Sequence, residues 1–242
     1  MKFGIISDIH SNLEALNVVL ERLKGLEKII CLGDLVGYGP NPNECVKIVR
    51  DLNIPTIAGN HDKASIGEME ITWFNRNARD AILWTRKELT EENVEYLKSL
   101  PLILEFEDFE IVHGSLRDPL LEYITSIMEA VPTLEKMKKP LCFIGHSHVP
   151  LCIVKEKDGE YNGWMLGDGD VVRLKEFERT IVNVGGVGQP RDGDPRASYG
   201  VYDSDKKEAS IYRVPYDIEK VQQKMRTKGL PEPLVERLKY GA

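Results

Sequence analysis

Five short apolar runs in this chain each end in a cluster of polar side chains, and this repeated pattern limits the fold more than any other feature of the sequence. An apolar run of this kind is typical of a buried parallel strand whose carboxyl end lies at the ligand-binding edge of its sheet. The runs and the clusters that follow them are 3–6 before Ser7-Asp8-Ile9-His10, 28–32 before Gly33-Asp34, 54–58 before Gly59-Asn60-His61-Asp62, 109–112 before His113-Gly114-Ser115, and 141–144 before Gly145-His146-Ser147-His148. All five histidines of the chain stand in these clusters, whereas histidines kept for packing or solubility would be scattered. The pattern predicts a site assembled from several strand ends.

The residues between the first three runs favour helices that connect parallel strands. Apolar residues recur at helical spacing from Leu13 to Leu23, with Ser11 as the predicted N-cap and Gly25 after the helix. Residues 43–51 predict a second helix of this kind, so the three runs are expected to form successive βαβ units.

The later sequence predicts mainly short strands separated by turns. Residues 102–106 and 109–112 predict a hairpin, and the segment after Pro150 predicts a second, mostly antiparallel sheet because short β-like runs alternate there with turns rich in Asp and Gly. These runs are 151–155, 171–174, 180–184, 199–202 and 210–214. Residues 218–238 predict a helical tail of mixed charge.

Residues 63–100 contain no strand pattern and predict two helices. Trp73, Phe74 and Trp84 lie near the apolar side of the first, and Thr90 caps the second. Because the helices follow the polar cluster at Gly59 directly, they could form a lid over the site. An amphipathic pair packed on the sheet is at least as consistent with the pattern.

Length and composition are consistent with a single domain over residues 1–242, since no linker of biased composition divides the chain. A chain of this length buries roughly 70 to 75% of its unfolded surface, so it needs no disulfide or structural metal. Any metal is therefore expected to serve chemistry.

Charge and cysteine usage favour a cytoplasmic protein. Cys31, Cys45, Cys142 and Cys152 form no C-x-x-C pair and are predicted to be small buried thiols in a reducing compartment rather than metal ligands. The sequence predicts no signal peptide, because the apolar residues at 3–6 reach Asp8 too soon, and it contains no run of about 18 apolar residues. A net charge of −7 without a basic tract argues against nucleic acid as a partner but permits a small phosphorylated substrate, since metal ions would reverse the local field.

The order and spacing of the polar clusters resemble the signature of the calcineurin-like metallophosphoesterases, in particular their small prokaryotic members of the phosphodiesterase type. The matching motifs are Asp8-x-His10, Gly33-Asp34, Gly59-Asn60-His61-Asp62, His113 and Gly145-His146-x-His148. One Asp-x-His motif arises by chance, but five motifs in this order are specific. The resemblance implies an α/β fold in which two mixed β-sheets pack as a sandwich flanked by helices, in four α/β/β/α layers.

The resemblance also implies a centre for two divalent metal ions. Asp34 would bridge ions about 3.5 to 4 Å apart, since a carboxylate can present an oxygen to each. The other ligands would be Asp8, His10 and His148 for one ion, and Asn60, His113 and His146 for the second. Carboxylate, amide and imidazole ligands without thiolate suit Mn, Fe, Zn or Ni better than Ca.

His61 is the histidine that this ligand set does not use, and the resemblance implies a catalytic role for it. Beside Asn60, it would protonate or hydrogen-bond the departing oxygen while Asp62 fixes its tautomer. The attacking group would be a hydroxide that bridges the ions, with no covalent phosphoenzyme. His61 as a further ligand to the second ion is the alternative.

Two segments are candidates for substrate binding. In the loop 35–42, Tyr38 either contacts the substrate or only belongs to the rim. The glycine-rich segment 183–191 leads to Arg191 and Arg196, which either hold a phosphate chain or are solvated turn residues.

The chain departs from the family pattern at two places. Many relatives carry an Asp or Arg shortly after the second motif, where this chain has Leu35, Val36 and Gly37. The family segment similar to 183–191 usually has a serine at the position of Gly186.

The leading functional prediction is a phosphoesterase acting on a small phosphodiester or a pyrophosphate-linked nucleotide. Dinucleoside polyphosphates are attractive substrates because Arg191 and Arg196 could hold their distal phosphates. The alternatives are a phosphomonoesterase or protein phosphatase, and a non-catalytic metal-binding scaffold of the same fold. The chain keeps every matched ligand position and His61, which favours an enzyme over a scaffold; association into a homo-oligomer is left open.

Overall fold

Two β-sheets packed face to face form the centre of the computed structural model, which describes residues 1–242. The strands are β1 (Lys2–Ile6), β2 (Lys28–Cys31), β3 (Ile103–Glu105), β4 (Phe109–Val112), β5 (Leu141–Ile144), β6 (Leu151–Lys155), β7 (Tyr161–Met165), β8 (Val171–Arg173), β9 (Arg179–Asn183), β10 (Ala197–Asp203) and β11 (Glu208–Val214). The first sheet has the order β2-β1-β10-β11-β8, and the second has the order β3-β4-β5-β9-β6-β7. Both sheets are mixed, because β1 and β2, β4 and β5, and β5 and β9 are parallel pairs while their other neighbours are antiparallel.

Helices cover the outer faces of the two sheets. They are α1 (Leu13–Arg22), α2 (Pro42–Asp51), α3 (Asn60–Ser65), α4 (Arg76–Glu88), α5 (Glu91–Ser99), α6 (Ile127–Lys136), α7 (Ile218–Thr227) and α8 (Glu232–Glu236). The first sheet shares a core with α1, α2 and α5, and the second shares one with α6. The predicted sandwich flanked by helices is therefore confirmed.

The core between the sheets is built around Phe109. Its ring meets those of Phe3 and Tyr202 edge-on at centroid distances of 5.4 Å each, and that of Phe143 at 5.6 Å. Each such contact stabilises the packing by about 0.5–1.5 kcal/mol beyond the burial of area. These rings join β1 and β10 of the first sheet to β4 and β5 of the second, so they pack the two sheets together.

The predicted strand 54–58 is wrong, because this segment forms only one isolated bridge, between Thr56 and Cys31. Pro55 accepts a hydrogen bond from Cys31 N at 2.9 Å but has no N–H to donate, and the Ala58 N–H bonds to Pro101 instead. The bridge is nevertheless parallel to β2, so the segment still delivers Gly59 to the same edge of the first sheet.

The late strands do not form a sheet of their own, so that prediction is also wrong. β8, β10 and β11 join the first sheet, where β10 pairs with β1 in a register that sets Gly200 opposite Ile5. β6, β7 and β9 join the second sheet. β7 is not predicted by the sequence because Gly163 lies in its middle and its residues show no regular alternation of exposure.

Two helix starts also differ from the sequence-based prediction. The N-cap of α1 is Asn12 rather than Ser11, since the Asn12 side chain accepts a hydrogen bond from Ala15 N at 3.1 Å. The Asn60–Asp62 motif opens the short helix α3. None of the helices is long and apolar enough to cross a lipid bilayer, and all four cysteines are buried and unpaired.

Candidate metal centre

The polar clusters meet where the carboxyl ends of strands from both sheets come together. Eight of the predicted side chains lie in one buried cluster in which no residue is more than 4% exposed: Asp8, His10, Asp34, Asn60, His61, His113, His146 and His148. The first sheet supplies those that follow β1 and β2, the second supplies those that follow β4 and β5, and α3 supplies the remaining two. The structure therefore brings all seven predicted metal ligands to one place.

The backbone at many of these positions is left-handed. Nine residues other than glycine have a positive φ, and five of them are predicted ligands: Asp8, His10, Asp34, His146 and His148. This conformation costs about 1–3 kcal/mol per residue and persists only where the surrounding structure imposes it. Because most of the residues in this conformation are predicted ligands, the conformation of these loops serves the chemistry of the site rather than stability.

Asp34 and Asp8 each present one carboxylate oxygen that has no hydrogen-bond partner. Asp34 Oδ1 accepts a hydrogen bond from His61 N at 2.8 Å, and Asp8 Oδ2 accepts one from His146 N at 3.2 Å. The other oxygen of each carboxylate, Asp34 Oδ2 and Asp8 Oδ1, is buried and unpaired. An unpaired buried acceptor costs at least about 1–3 kcal/mol, and more when it is charged. Metal ions bound to Asp34 Oδ2 and Asp8 Oδ1 would offset this cost.

Main-chain carbonyls orient the histidine rings. The Nδ1 atoms of three rings lie within hydrogen-bond distance of a carbonyl oxygen: His10 with Val36 (3.0 Å), His113 with Leu32 (2.8 Å) and His148 with Gln189 (2.5 Å). Because a carbonyl can only accept, Nδ1 carries the proton when the ring is neutral, and Nε2 then keeps the lone pair for a metal ion. His146 is reversed, since its Nε2 donates to the Leu121 carbonyl at 3.3 Å and leaves Nδ1 free. Outer hydrogen bonds of this type fix metal-ligating histidines.

The free ligand atoms are spaced as ligands of a metal ion would be. The ligand atoms of Asp8, His10 and His148 lie within 4.8 Å of one another, and so do those of Asp34, His113 and His146. Asp34 Oδ2 lies 3.5 Å from His10 Nε2 and 3.4 Å from His113 Nε2, so it stands between the two groups. Metal bonds of about 2.0–2.2 Å place neighbouring ligands at such separations. The residues therefore fit divalent metal ions in the predicted grouping, and Asn60 Oδ1, 3.2 Å from His113 Nε2, joins the second group.

Four of the five histidines are neutral at pH 7 in the metal-free protein. Burial lowers the pKa of His10 and His148 well below the usual value. Burial also lowers the pKa of His61 to about 4 and that of His146 to about 3. Neutral imidazole is the form that binds a metal ion.

His113 and Asp34 form a charged pair in the metal-free protein. Burial alone would lower the pKa of His113, but the charge of Asp34, whose Oδ2 lies 3.4 Å from His113 Nε2, raises this pKa to about 9. Burial opposes ionisation of Asp34 as well, yet the charge of His113 holds the pKa of Asp34 well below the usual range. The proton on His113 occupies the position that a metal ion would take.

Two glycines allow the chain to approach the carboxylates closely. A Cβ atom on Gly59 would lie 2.0 Å from Asp34 Oδ1, and one on Gly145 would lie 2.1 Å from Ser7 Oγ and 2.9 Å from Asp8 Oδ2. Any side chain at these positions would displace the carboxylates, which explains why two of the motifs begin with glycine.

Asp62 does not contact the ring of His61. Its carboxylate accepts hydrogen bonds from the backbone N–H groups of Leu35 at 2.8 Å, Val36 at 3.2 Å and Gly59 at 3.0 Å. The predicted role of Asp62 in fixing the tautomer of His61 is therefore wrong. Asp62 instead ties the loop after β2 to the start of α3.

Neither ring nitrogen of His61 has a hydrogen-bond partner in the protein, and Nδ1 is fully buried. The ring is held by Tyr38, His10 and Phe74, at centroid distances of 4.3, 4.8 and 5.0 Å. A buried imidazole fixed only by aromatic contacts keeps both nitrogens for a substrate or a metal ion.

A cleft of about 530 Å³ leads to the centre. It is lined by Tyr38, Asn60, His61, Trp73, Phe74, Asn75, Ala78, Leu121, Tyr123, His146, Arg191 and Arg237. Two of the predicted substrate contacts, Tyr38 and Arg191, thus lie in its wall, with the Arg191 guanidinium 5.6 Å from the centre of the Tyr38 ring.

Arg196 lies outside the cleft lining, so its predicted part in phosphate binding is wrong. Its guanidinium pairs with Asp194 at 2.7 Å and with Asp168 at 2.9 Å. Two carboxylates already neutralise this arginine.

Gly186 lies against the centre, because a Cβ atom there would be 3.3 Å from the ring of His148.

Several cleft residues are not predicted by the sequence. Tyr123 stacks on His146 with ring centroids 3.8 Å apart, and Arg237 enters from the turn after α8. Neither belongs to a motif, and only the tertiary fold brings them to the site. The start of α4, with Phe74 and Ala78, forms one wall, while the rest of α4 packs on the C-terminal helices.

Sequence comparison agrees with this geometry. A sequence model of the calcineurin-like phosphoesterase superfamily domain matches residues 1–207. An uncharacterized protein of Methanocaldococcus jannaschii is 42% identical over 250 aligned residues, which cover 98% of this chain and 97% of that protein. The chain belongs to the calcineurin-like phosphoesterase superfamily. This family binds divalent metal ions, and membership indicates a phosphoesterase.

Solved structures agree as well. The crystal structure of a metallophosphoesterase from Sphaerobacter thermophilus is 44% identical, with complete coverage of both chains and a TM-score of 0.91. A hypothetical protein from Pyrococcus horikoshii OT3 is 19% identical and shares the fold, with a TM-score of 0.82 over 100% of this chain and 98% of that one.

Proposed function

We propose that this protein is a hydrolase that uses two divalent metal ions to cleave a phosphodiester or nucleotide pyrophosphate bond. The observation that carries the proposal is the pair of unpaired buried oxygens, Asp8 Oδ1 and Asp34 Oδ2, each facing histidine nitrogens. The donor set of carboxylate, amide and imidazole favours Mn, Fe, Zn or Ni. We propose the ligand set Asp8, His10, Asp34, Asn60, His113, His146 and His148.

The ions would neutralise charge on the phosphate oxygens and lower the pKa of a water molecule so that it can attack phosphorus. The protein's contribution is to hold its ligands still. His61 N fixes Asp34 Oδ1, and His146 N fixes Asp8 Oδ2, so neither carboxylate can rotate away without breaking a buried hydrogen bond.

His61 is proposed to assist the departing oxygen. Its ring lines the cleft, and it has no partner in the protein that would compete for its proton. Because burial lowers its pKa to about 4 in the metal-free protein, His61 is expected to act as a hydrogen-bond donor through its neutral N–H rather than as a permanent cation.

The substrate is proposed to be a small nucleotide held in the cleft next to Tyr38 and Arg191. A cavity of about 530 Å³ is within the range of about 300–1,000 Å³ usual for small-molecule sites. The buried free cysteines favour a reducing compartment, and we propose that the protein acts in the cytoplasm.

The experiment that tests this function is a substrate panel on metal-stripped protein reloaded separately with Mn, Fe, Zn or Ni. Bis(4-nitrophenyl) phosphate, 4-nitrophenyl phosphate and diadenosine tetraphosphate represent a diester, a monoester and a polyphosphate. We expect metal-dependent turnover of the diester and the polyphosphate. Turnover of the monoester alone would make the protein a phosphomonoesterase, and no turnover with any metal would contradict an enzymatic role.

A further inference from the structure

Two arginines share the wall of the cleft, and neither is paired with a side-chain carboxylate. Arg191 donates from Nε and Nη2 to the side-chain oxygen of Gln189, at 3.3 and 2.9 Å, and Gln189 is neutral. Arg237 donates from Nε to the carboxylate oxygen of Ala242, the last residue of the sequence. Both nitrogens at the tip of Arg237 are left without a partner.

Other arginines that lie close to acidic groups are neutralised by them. Arg196 binds Asp194 and Asp168, Arg213 binds Asp192, and Arg226 binds Glu232 and Glu236. Arg86 and Arg179 bond only to the main-chain oxygens of Ala64 and Leu134, but each lies apart from the cleft. Only in the cleft do two guanidinium groups without a side-chain carboxylate share one partly buried space, and an anion bound between them would relieve their mutual repulsion.

The electrostatics of Arg237 agree with this geometry. Burial and the nearby charge of Arg191 lower its pKa below the usual arginine value. The two guanidinium groups thus interact although they come from segments far apart in the chain.

Arg237 lies in a part of the chain that the superfamily model does not match. The turn Arg237–Lys239 follows α8, outside the residues 1–207 that match the superfamily model. The tail is anchored by Leu234, Val235 and Leu238, which pack with Tyr38 and with Ala78 and Ala81 of the α4 region. The packing of the tail therefore holds the guanidinium group of Arg237 in a fixed position at the cleft.

We infer that Arg191 and Arg237 form a binding site for a second anionic group of the substrate, separate from the phosphate that reacts at the metal centre. This inference rests on the proposed function for the identity of the reacting group. It assigns the substrate to compounds with at least two phosphate groups, such as dinucleoside polyphosphates, rather than to simple diesters. Arginine suits this task because its planar fork binds phosphate through two hydrogen bonds.

The kinetic test compares two substrates in four proteins. The wild type and the variants Arg237→Ala, Arg191→Ala and Arg173→Ala are assayed with diadenosine tetraphosphate and with bis(4-nitrophenyl) phosphate, which has no second anion. Arg173 is an exposed arginine of the edge strand β8 and controls for the change in net charge. We expect Arg237→Ala and Arg191→Ala each to lower kcat/KM for the polyphosphate by about ten- to a hundredfold more than kcat/KM for the aryl diester. Arg173→Ala should affect neither substrate.

The variant Arg237→Lys tests whether a loss of activity comes from a general loss of structure. Arg237→Lys keeps the aliphatic stem that packs in the tail and the positive charge, but it loses the planar fork. It should show a smaller, still selective loss on the polyphosphate, with an unchanged Tm. Equal losses on both substrates, or no loss on either, would overturn the inference.

A binding measurement separates this inference from the proposed function. Calorimetry of inorganic tripolyphosphate with the metal-free protein needs neither metal nor turnover. We expect binding by the wild type and by Arg173→Ala, and roughly tenfold weaker binding by Arg237→Ala. If the wild type hydrolyses neither substrate, the proposed function fails while this experiment still decides the role of the arginines. Equal tripolyphosphate binding by the wild type and Arg237→Ala would overturn it.

Discussion

Asp34 is the side chain on which the metal centre depends most. It lies within 3.5 Å of one histidine from each ligand group, and its Oδ1 is fixed by the backbone of α3 so that Oδ2 can point only at the histidines. A carboxylate in this position could contact an ion in each ligand group, which is why Asp34 is proposed as the bridge between them.

Replacing Asp34 by Asn should therefore remove activity by several orders of magnitude and weaken both metal sites. The amide is similar in shape but lacks the charge that draws the two cations together. Turnover of an aryl diester and metal analysis after gel filtration would measure the two effects. Two tightly held ions and a near-normal rate in this variant would contradict the bridging role.

Metal affinity should rise with pH up to about pH 9. In the metal-free protein the pKa of His113 is raised to about 9, so at neutral pH a metal ion must displace its proton. Below pH 9 each unit of pH should therefore raise the affinity of this site about tenfold, and binding at pH 7.5 should release about one proton per chain. Titration of the metal-stripped protein with Mn in a weakly buffered solution that contains a pH indicator would detect the released proton. Binding without proton release, and an affinity that does not change between pH 6 and 9, would show that His113 is already neutral.

Most individual site residues could be predicted because they lie in motifs whose chemistry is local. The exceptions have physical causes. Arg196 is neutralised by Asp194 and by Asp168, and only the tertiary fold brings Asp168 to it. Asp62 stands next to His61, but the first turn of α3 aims its carboxylate at backbone amides instead of the neighbouring ring.

The helix α3 and the loop after β2 act as one unit because Asp62 joins them. We expect Asp62→Ala to lower the free energy of unfolding by about 3 kcal/mol or more, since three buried N–H groups would lose their acceptor. Urea unfolding of the metal-free proteins would measure this. A variant that unfolds like the wild type but has lost its turnover would instead support a direct role for Asp62 in catalysis.

The strands were predictable where apolar runs have no proline, as in β1, β4 and β5. The segment 54–58 has the composition of a strand, but Pro55 interrupts the ladder, and only one bridge to β2 forms. The division of the late strands between the two sheets depends on pairings such as that of β10 with β1, nearly 200 residues apart, which local patterns do not contain.

The two sheets and the tail each supply part of one site. The carboxyl ends of β1 and β2 face those of β4 and β5, and the aromatic core around Phe109 packs the two sheets together. The tail, which extends past the region matched by the superfamily model, adds Arg237 to the cleft. The chain thus combines a shared metal centre with a cleft wall that depends on its own C-terminal segment.

The rate of hydrolysis of bis(4-nitrophenyl) phosphate, measured as Mn is added stepwise to the metal-stripped protein, tests this view of the molecule most directly. The arrangement of ligands around Asp34 predicts no activity without metal and a rate that rises until about two equivalents per chain are bound and then stays constant. A maximal rate at one equivalent would contradict the dinuclear centre. The absence of metal-stimulated hydrolysis at any ratio would contradict the assignment of the cluster as a catalytic site.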